Sequence, residues 1–249
     1  MVLPADEIAE RIMGWFKKQN LKNFILPLLL ILIAACNNSK NNADEPVAKN
    51  DSATSGKTEQ TPVNTNPVFS LGAFDKNNTP LKDSVKGNII NGAGWTDANG
   101  IYTVLLSQTE NKMINGQQNQ RIYASCFKNE SGKWTREWLV QDFIENCEVD
   151  ATCEFFPQSL TVTDNDHNNT GEVTFLYKLS CKGDVSPDQK KLIMYEGTTK
   201  YAIRGTTILL FNGGKEGGEK KTDPSFNTAP KSLLDFANLQ WDKFGTDKY

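Results

Sequence analysis

Apolar side chains are unevenly placed in this chain of 249 residues: a block near the N-terminus is almost wholly apolar, and the stretch after it is almost wholly polar. Lys17, Lys18 and Lys22 precede an unbroken apolar run from Phe24 to Ala35. That run has twelve residues, against the roughly 20 that a bilayer-spanning helix needs. Positive charge, a short apolar segment and then small residues is the layout of an export signal. Residues 37–66 follow as NNSKNNADEPVAKNDSATSGKTEQTPVNTN, without one aromatic side chain. Such a stretch buries too little apolar surface to offset the entropy of ordering it, so a disordered tether is expected. The organisation read from the sequence is therefore a signal peptide over 1–35, a modified cysteine and tether over 36–66, and a single folded domain over 67–249.

The signal ends Ile33-Ala34-Ala35-Cys36, which resembles the bacterial lipobox. The resemblance implies cleavage before Cys36, diacylglycerol on its sulfur and a further acyl chain on its amine. Two or more chains give stable anchoring where one is marginal. The expected partner is thus a membrane, and the expected location is the cell envelope, most readily the outer membrane, on its periplasmic or its outer face. Residues 1–12 carry Asp6, Glu7 and Glu10, acids unusual ahead of an export signal, so Met13 is an alternative start. Asp51-Ser52-Ala53 and Asp83-Ser84-Val85 resemble the O-glycosylation acceptor triplet of Bacteroidetes.

From Pro67 onward, short β-prone segments alternate with Gly, Asn and Asp turns. Candidate strands are Ile101–Leu106, Gln120–Cys126, Trp134–Val140, Leu160–Thr163, Glu172–Tyr177, Lys191–Glu196, Lys200–Arg204 and Thr207–Phe211. Gly213–Pro224, rich in Gly, Lys and Glu, reads as a mobile loop. After Pro230, apolar residues recur three and four apart, which predicts one amphipathic helix over 230–245 with Phe236, Trp241 and Phe244 on its buried stripe. The expected fold class is α+β and β-rich: a mostly antiparallel sheet domain closed by a C-terminal helix.

Composition excludes several chemistries. A net charge of −3 gives no basic footprint, so nucleic acid is not an expected partner. A single histidine, His167, leaves zinc catalysis and a nucleophilic triad without enough imidazoles. Beyond Cys36, the cysteines are Cys126, Cys147, Cys153 and Cys181. An even set in an exported chain is expected to form disulfides. Cys147 with Cys153 would close a small loop, leaving Cys126 with Cys181.

One segment carries ligand chemistry: Asp164-Asn165-Asp166-His167-Asn168-Asn169-Thr170-Gly171-Glu172. Asp164, Asp166, Asn168 and Glu172 supply side-chain oxygens at alternating positions, with the Thr170 carbonyl between them, a pattern suited to Ca²⁺. The loop is similar to the calcium loops of FG-GAP and integrin-type repeats. It departs from them at Asn169, where a glycine is expected, although Asn tolerates the left-handed backbone. Phe175 stands where an EF-hand places its bidentate Glu. His167 falls at a non-ligand position and should be exposed.

The runs Ser159–Asp164, Glu172–Lys178, Asp184–Pro187, Lys191–Gly197 and Lys200–Gly205, with Trp134, Asp142, Cys147, Asp150 and Cys181, are similar to a family of Bacteroidetes exported proteins. That family carries a surface polysaccharide biosynthesis label, and the likeness spans roughly residues 90–245. It implies a cell-surface role and carries over no catalytic residue. Two functions stay open. One is a non-enzymatic envelope lipoprotein, calcium-braced, that binds glycan or protein. The other is a glycan-active enzyme with an acid/base pair drawn from Asp142, Glu145, Asp150 and Glu172. Cys36→Ser is expected to move the protein from the membrane to the soluble fraction; unchanged membrane retention on fractionation would remove the lipid anchor.

Overall fold

The structure is a computed structural model that describes residues 68–248. The signal segment, Cys36 and the spacer over 36–66 lie outside the described residues. The first sheet holds β1 (Ser70–Gly72), β2 (Asn88–Asp97), β3 (Gly100–Gln108), β4 (Lys112–Ile114), β5 (Gln117–Glu130) and β6 (Lys133–Cys147). Its order is β1-β2-β3-β5-β6, with β4 extending the β3 side of β5. The second sheet holds β7 (Asp150–Phe155), β8 (Thr161–Thr163), β9 (Glu172–Lys182), β10 (Gln189–Glu196), β11 (Thr199–Thr206) and β14 (Lys220–Thr222). Its order is β14-β11-β10-β9, and β7 and β8 share the far edge of β9. Pairing within both sheets is antiparallel. A third, small sheet joins β12 (Ile208–Phe211), β13 (Gly214–Gly217) and β15 (Thr246–Lys248), with β12 and β15 parallel.

Alternation along each strand decides the layers. In β9, Val173, Phe175, Tyr177 and Leu179 face the first sheet, where they meet Trp95, Val104, Leu106, Ile122, Ala124, Trp138 and Val140. The intervening Leu176 faces the other way, with Leu192 and Met194 of β10 and Tyr201 and Ile203 of β11. Against that second face lies α1 (Lys231–Lys243) through Leu233, Ala237 and Trp241. Both faces of β9 and β10 are thus covered, which is why their sequences read as continuous apolar runs. Leu81, Phe74 and Val85 cover Leu105 and Phe127 on the outer face of the first sheet.

The expected helix is present, and it starts directly after Pro230. Trp241 is buried as expected, whereas Phe236 and Phe244 pack at the margin of the core. Lys190, fully buried on β10, closes the helix end: its Nζ donates to the Trp241 carbonyl at 3.1 Å and the Phe244 carbonyl at 2.8 Å. The same ammonium stands 4.1 Å from the Trp241 ring centre. It thereby meets carbonyls that no intrahelical donor reaches.

The structure departs from the sequence expectation at a glycine-rich segment and at the cysteines. Gly213–Pro224 is not a loop: it forms β13 and β14. Glycine made it look like one, but Gly205 has no side chain because a Cβ there would sit 1.7 Å from the Glu219 carbonyl oxygen. Gly217 takes φ +77° beside the Thr207 carbonyl. The glycines permit close strand contact rather than freedom.

The cysteine pairing is also different. Cys147, at the end of β6, bonds Cys181, near the end of β9, with Cα atoms 5.6 Å apart. Cys126 and Cys153 are free and buried. Opposite strands, not sequence neighbours, make the pair: the bond ties one sheet to the other at their shared end. Cys126 pairs across from Trp138, while Cys147 pairs across from Gln118. The eight-residue offset along β5 is roughly 26 Å, beyond any disulfide. Cys153 points into the core beside Leu179, away from Cys147. Removing the bond by Cys147→Ala with Cys181→Ala frees a 34-residue span. The expected loss is about 3–4 kcal/mol of stability, measured by denaturant titration. Alkylation of the native protein should spare Cys126 and Cys153 until the chain unfolds; rapid native labelling of both would contradict their burial.

Candidate functional site

The acidic loop joins β8 to β9 at one end of the sandwich. Asn169 takes φ +61° and His167 φ +60°, so the loop turns where the sequence departs from the glycine pattern. His167 is exposed. The loop brings Asp164, Asp166 and Glu172 together: one carboxylate oxygen of each lies within 4.8 Å of the others. Oxygens spaced this way fit on the coordination sphere of a cation held at 2.3–2.6 Å. Asp164 Oδ1 is buried and has no hydrogen-bond partner among the described residues. Asp164, Asp166 and Glu172 are therefore the residues that could hold a metal.

The side chains of Asn168 and Thr170 make hydrogen bonds that shape the loop. Asn168 donates from Nδ2 to Asp166 Oδ2 at 3.0 Å and to Glu196 Oε1 at 2.6 Å, and its Oδ1 accepts from the Thr170 amide at 2.7 Å. The Thr170 hydroxyl accepts from Asn99 Nδ2 at 3.3 Å. The Asn168 side chain thus braces Asp166, and the Thr170 hydroxyl ties the loop to Asn99, while the Thr170 carbonyl is the atom expected as a ligand.

Glu172 is the deepest member, fully buried at the start of β9. Burial raises its carboxyl to about 7, and Asp166 and Asp164 add to the rise. The Asn165 amide and the Thr163 hydroxyl, both donating to it, act in the opposite direction.

Beside the loop lies a cavity of about 310 Å³ at the mouth between the two sheets. Its walls carry two stacked aromatic pairs. Trp95 and Tyr102 have ring centres 5.1 Å apart, and Trp138 and Tyr195 4.2 Å apart. Asp97, Lys128 and Glu137 supply charge, and Cys126 is at the lining. Glu137 owes its place to a bulge: Cys126 pairs with Trp138 and Phe127 with Arg136, which leaves Glu137 without a partner in β5.

Asp97 joins cavity and loop. Its Oδ2 accepts from Trp95 Nε1 at 2.9 Å and from the Gly171 amide at 3.0 Å. The Ala98 amide donates to the Asn169 carbonyl at 2.9 Å. With the Asn99–Thr170 bond, three hydrogen bonds hold the acidic loop against the β2–β3 turn. Gly171 packs so tightly that a Cβ would stand 2.5 Å from Trp95 Nε1. Any shift of the loop therefore moves a cavity wall.

The carboxylates considered for an acid/base pair are on separate duties. Asp142 accepts from Lys191 Nζ at 2.5 Å and from the Tyr177 hydroxyl at 2.9 Å. Glu145 ion-pairs with Arg121. Asp150 is exposed at the start of β7, and Glu172 belongs to the loop. Of the cavity residues, sequence reasoning names Cys126 and Thr170, for other roles, and misses Trp95, Asp97, Tyr102 and Glu137. The available signal was Trp95-Thr96-Asp97, whose alternation places indole and carboxylate on one strand face. The segments GWTDANGIYTVLL and TVTDNDHNNTGEVTFLY, loosely alike in sequence, dock at this end of the fold.

Compared with known proteins, the chain matches no family model, no curated protein and no solved structure.

Glu172 makes a pH test possible. Its folded value lies above its ordinary 4.5, so the folded state holds this proton more tightly. The stability it contributes is complete below pH 4.5 and is lost as pH rises through about 7. In chelator, raising pH from about 5 to about 8 should cost up to about 3 kcal/mol from this group. Glu172→Gln should flatten that part of the Tm profile. Parallel profiles for parent and variant would refute the assignment.

Proposed function

We propose that this protein is a lipid-anchored envelope protein that binds glycan in the Trp95–Trp138 cavity, with Ca²⁺ in the Asp164–Glu172 loop bracing one cavity wall. The observation that carries the reading is the junction at Asp97. One carboxylate holds the Trp95 indole and the Gly171 amide, so an aromatic wall and an acidic loop form one unit.

Aromatic rings beside a few polar groups suit sugars, whose C–H faces stack on π-systems and whose hydroxyls need donors and acceptors. Asn99, Lys128, Glu137 and Thr198 supply those groups at the cavity rim. A hard cation among Asp164, Asp166 and Glu172 would offset the repulsion of three crowded carboxylates. It would take the place of the proton that Glu172 otherwise retains. An exported protein meets ample calcium, which agrees with the lipobox at Cys36 and with the disulfide between Cys147 and Cys181. The likeness to exported proteins labelled for surface polysaccharide biosynthesis supports a role in polysaccharide assembly or display at the outer membrane. The binding is non-enzymatic in this reading. An envelope protein in place of the glycan is the outcome that a negative glycan screen would favour.

Two measurements test the reading. Calcium at about a hundredfold above its Kd should stabilise the chain by about 2–3 kcal/mol. Asp164→Ala with Asp166→Ala should abolish that gain, and a parent indifferent to calcium would remove the metal. In a glycan-array screen, Glu137→Ala should weaken the strongest signal about tenfold, a loss of about 1.4 kcal/mol. A parent that binds no glycan would sink the cavity assignment.

A further inference from the structure

Strand β11 carries Lys200, Ala202 and Arg204 on the face that looks toward the first sheet, because Tyr201 and Ile203 face α1. Register sets cations side by side across three strands. Lys191 of β10 pairs with Arg204, and Arg204 pairs with Lys221 of β14. Directly paired residues share a face and lie about 5 Å apart. On the other side of Lys191 stands Tyr177.

The first sheet covers only the inner end of this row. Its edge strand β6 reaches Lys191 and Tyr177 through Asp142. Lys200, Arg204 and Lys221 lie beyond it and are exposed. Arg204 binds Asp223 at 2.9 Å; among the described residues, Lys200 and Lys221 have no carboxylate partner. Lys200 is held below the ordinary lysine range, by partial burial first and then by Arg204 and Lys191. Asp142 and Asp223 act the other way, and the net effect leaves Lys200, Arg204 and Lys191 as crowded cations in a chain whose net charge is −3.

The shelf is continuous with the cavity. Tyr195, a cavity wall residue, pairs with Lys200, whose ammonium stands 6.0 Å from its ring centre. From Lys200 the strand runs four residues, roughly 13 Å, to Arg204. There Arg204, Lys221, Thr222, Asp223 and Pro224 line a second cleft of about 200 Å³.

We infer that Lys200, Arg204 and Lys221 form the binding shelf for an acidic polysaccharide, one bearing carboxylate, sulfate or phosphate groups along its length. The inference rests on the glycan reading of the cavity and extends it. The cavity, with Asp97 and Glu137 in its wall, takes an uncharged ring, and the acidic substituents of the following residues lie along β11. Lys200 and Arg204 lie along β11 and Lys221 lies beside Arg204 on β14, so the cations are spread over more than one strand spacing, which suits an extended polymer and not a single small anion. Nucleic acid and anionic membrane are the alternatives that the test separates.

The experiment uses the full chain and a Lys200→Gln, Arg204→Gln, Lys221→Gln variant, matched for Tm. The probes are polygalacturonate, dextran sulfate, neutral dextran and mannan, single-stranded DNA, and phosphatidylglycerol vesicles. The parent should bind an acidic polysaccharide at least about tenfold more tightly than the neutral ones, with affinity falling as salt rises. The variant should lose that preference and keep whatever neutral binding the parent has. Equal affinity for acidic and neutral polysaccharide in the parent overturns the shelf while leaving the cavity reading intact. So does a variant that binds acidic polysaccharide like the parent. DNA or vesicles bound in preference to polysaccharide also overturn it, and binding of no polysaccharide at all overturns both readings.

Discussion

Burial of β9 and β10 on both faces is the constraint on which the rest of the structure depends. One side of these strands is a row of aromatic and aliphatic residues that only a second sheet can cover. The other is an aliphatic row that takes a helix. Neither layer could be removed without exposing a continuous apolar surface, which no single-sheet domain tolerates in water. The layers follow from that pair of strands, and so does the position of the acidic loop, which leads directly into β9. Glu172 is buried because it is the first residue of that doubly covered strand.

The same constraint leaves the end of the sandwich as the place where chemistry gathers. There the sheets separate enough for a cavity, and the β2–β3 turn meets the acidic loop. Asp97 is buried with its acceptors occupied by an indole and backbone amides. A buried carboxylate so satisfied is a positioning group, because moving it would leave the indole and two backbone amides without their acceptor. At the opposite end, the disulfide closes the two sheets against each other. One end is thus fixed covalently, and the other is held by hydrogen bonds.

How much was legible in the sequence varied with the range of the interaction. Strands such as Ile101–Leu106 and Lys191–Glu196 carry β-branched and aromatic residues densely enough to be read locally, and they fall within β3 and β10. Asn88–Asp97 was not read as a strand, because Gly92 and Gly94 break its alternation; Gly92 is small because the Phe74 ring lies where its Cβ would be. Gly213–Pro224 was misread for the same reason. A glycine that admits a neighbouring chain and a glycine that loosens a loop look alike in sequence. The acidic loop is legible because its residues are contiguous, and the structure brings the carboxylates of Asp164, Asp166 and Glu172 together. The cavity drew on β2, β3, β5, β6 and β10, and no local pattern joins those strands.

The sequence by itself determined the β-rich class, the helix after Pro230 and the cluster of oxygen side chains at 164–172, and it carries the pattern from which an export signal ending at Cys36 is expected. Each of these is written in neighbouring residues, through a run of hydrophobicity, a period of two or of three to four, or a short alternation. Only the tertiary structure decided which cysteines pair, that Asp97 supports the Gly171 end of the loop, and that Lys191, Arg204 and Lys221 stand in one row. Those outcomes depend on strand register and on which face of a sheet is covered. Register is fixed by the packing of all layers at once, because a slip of one residue would turn every side chain to the wrong face.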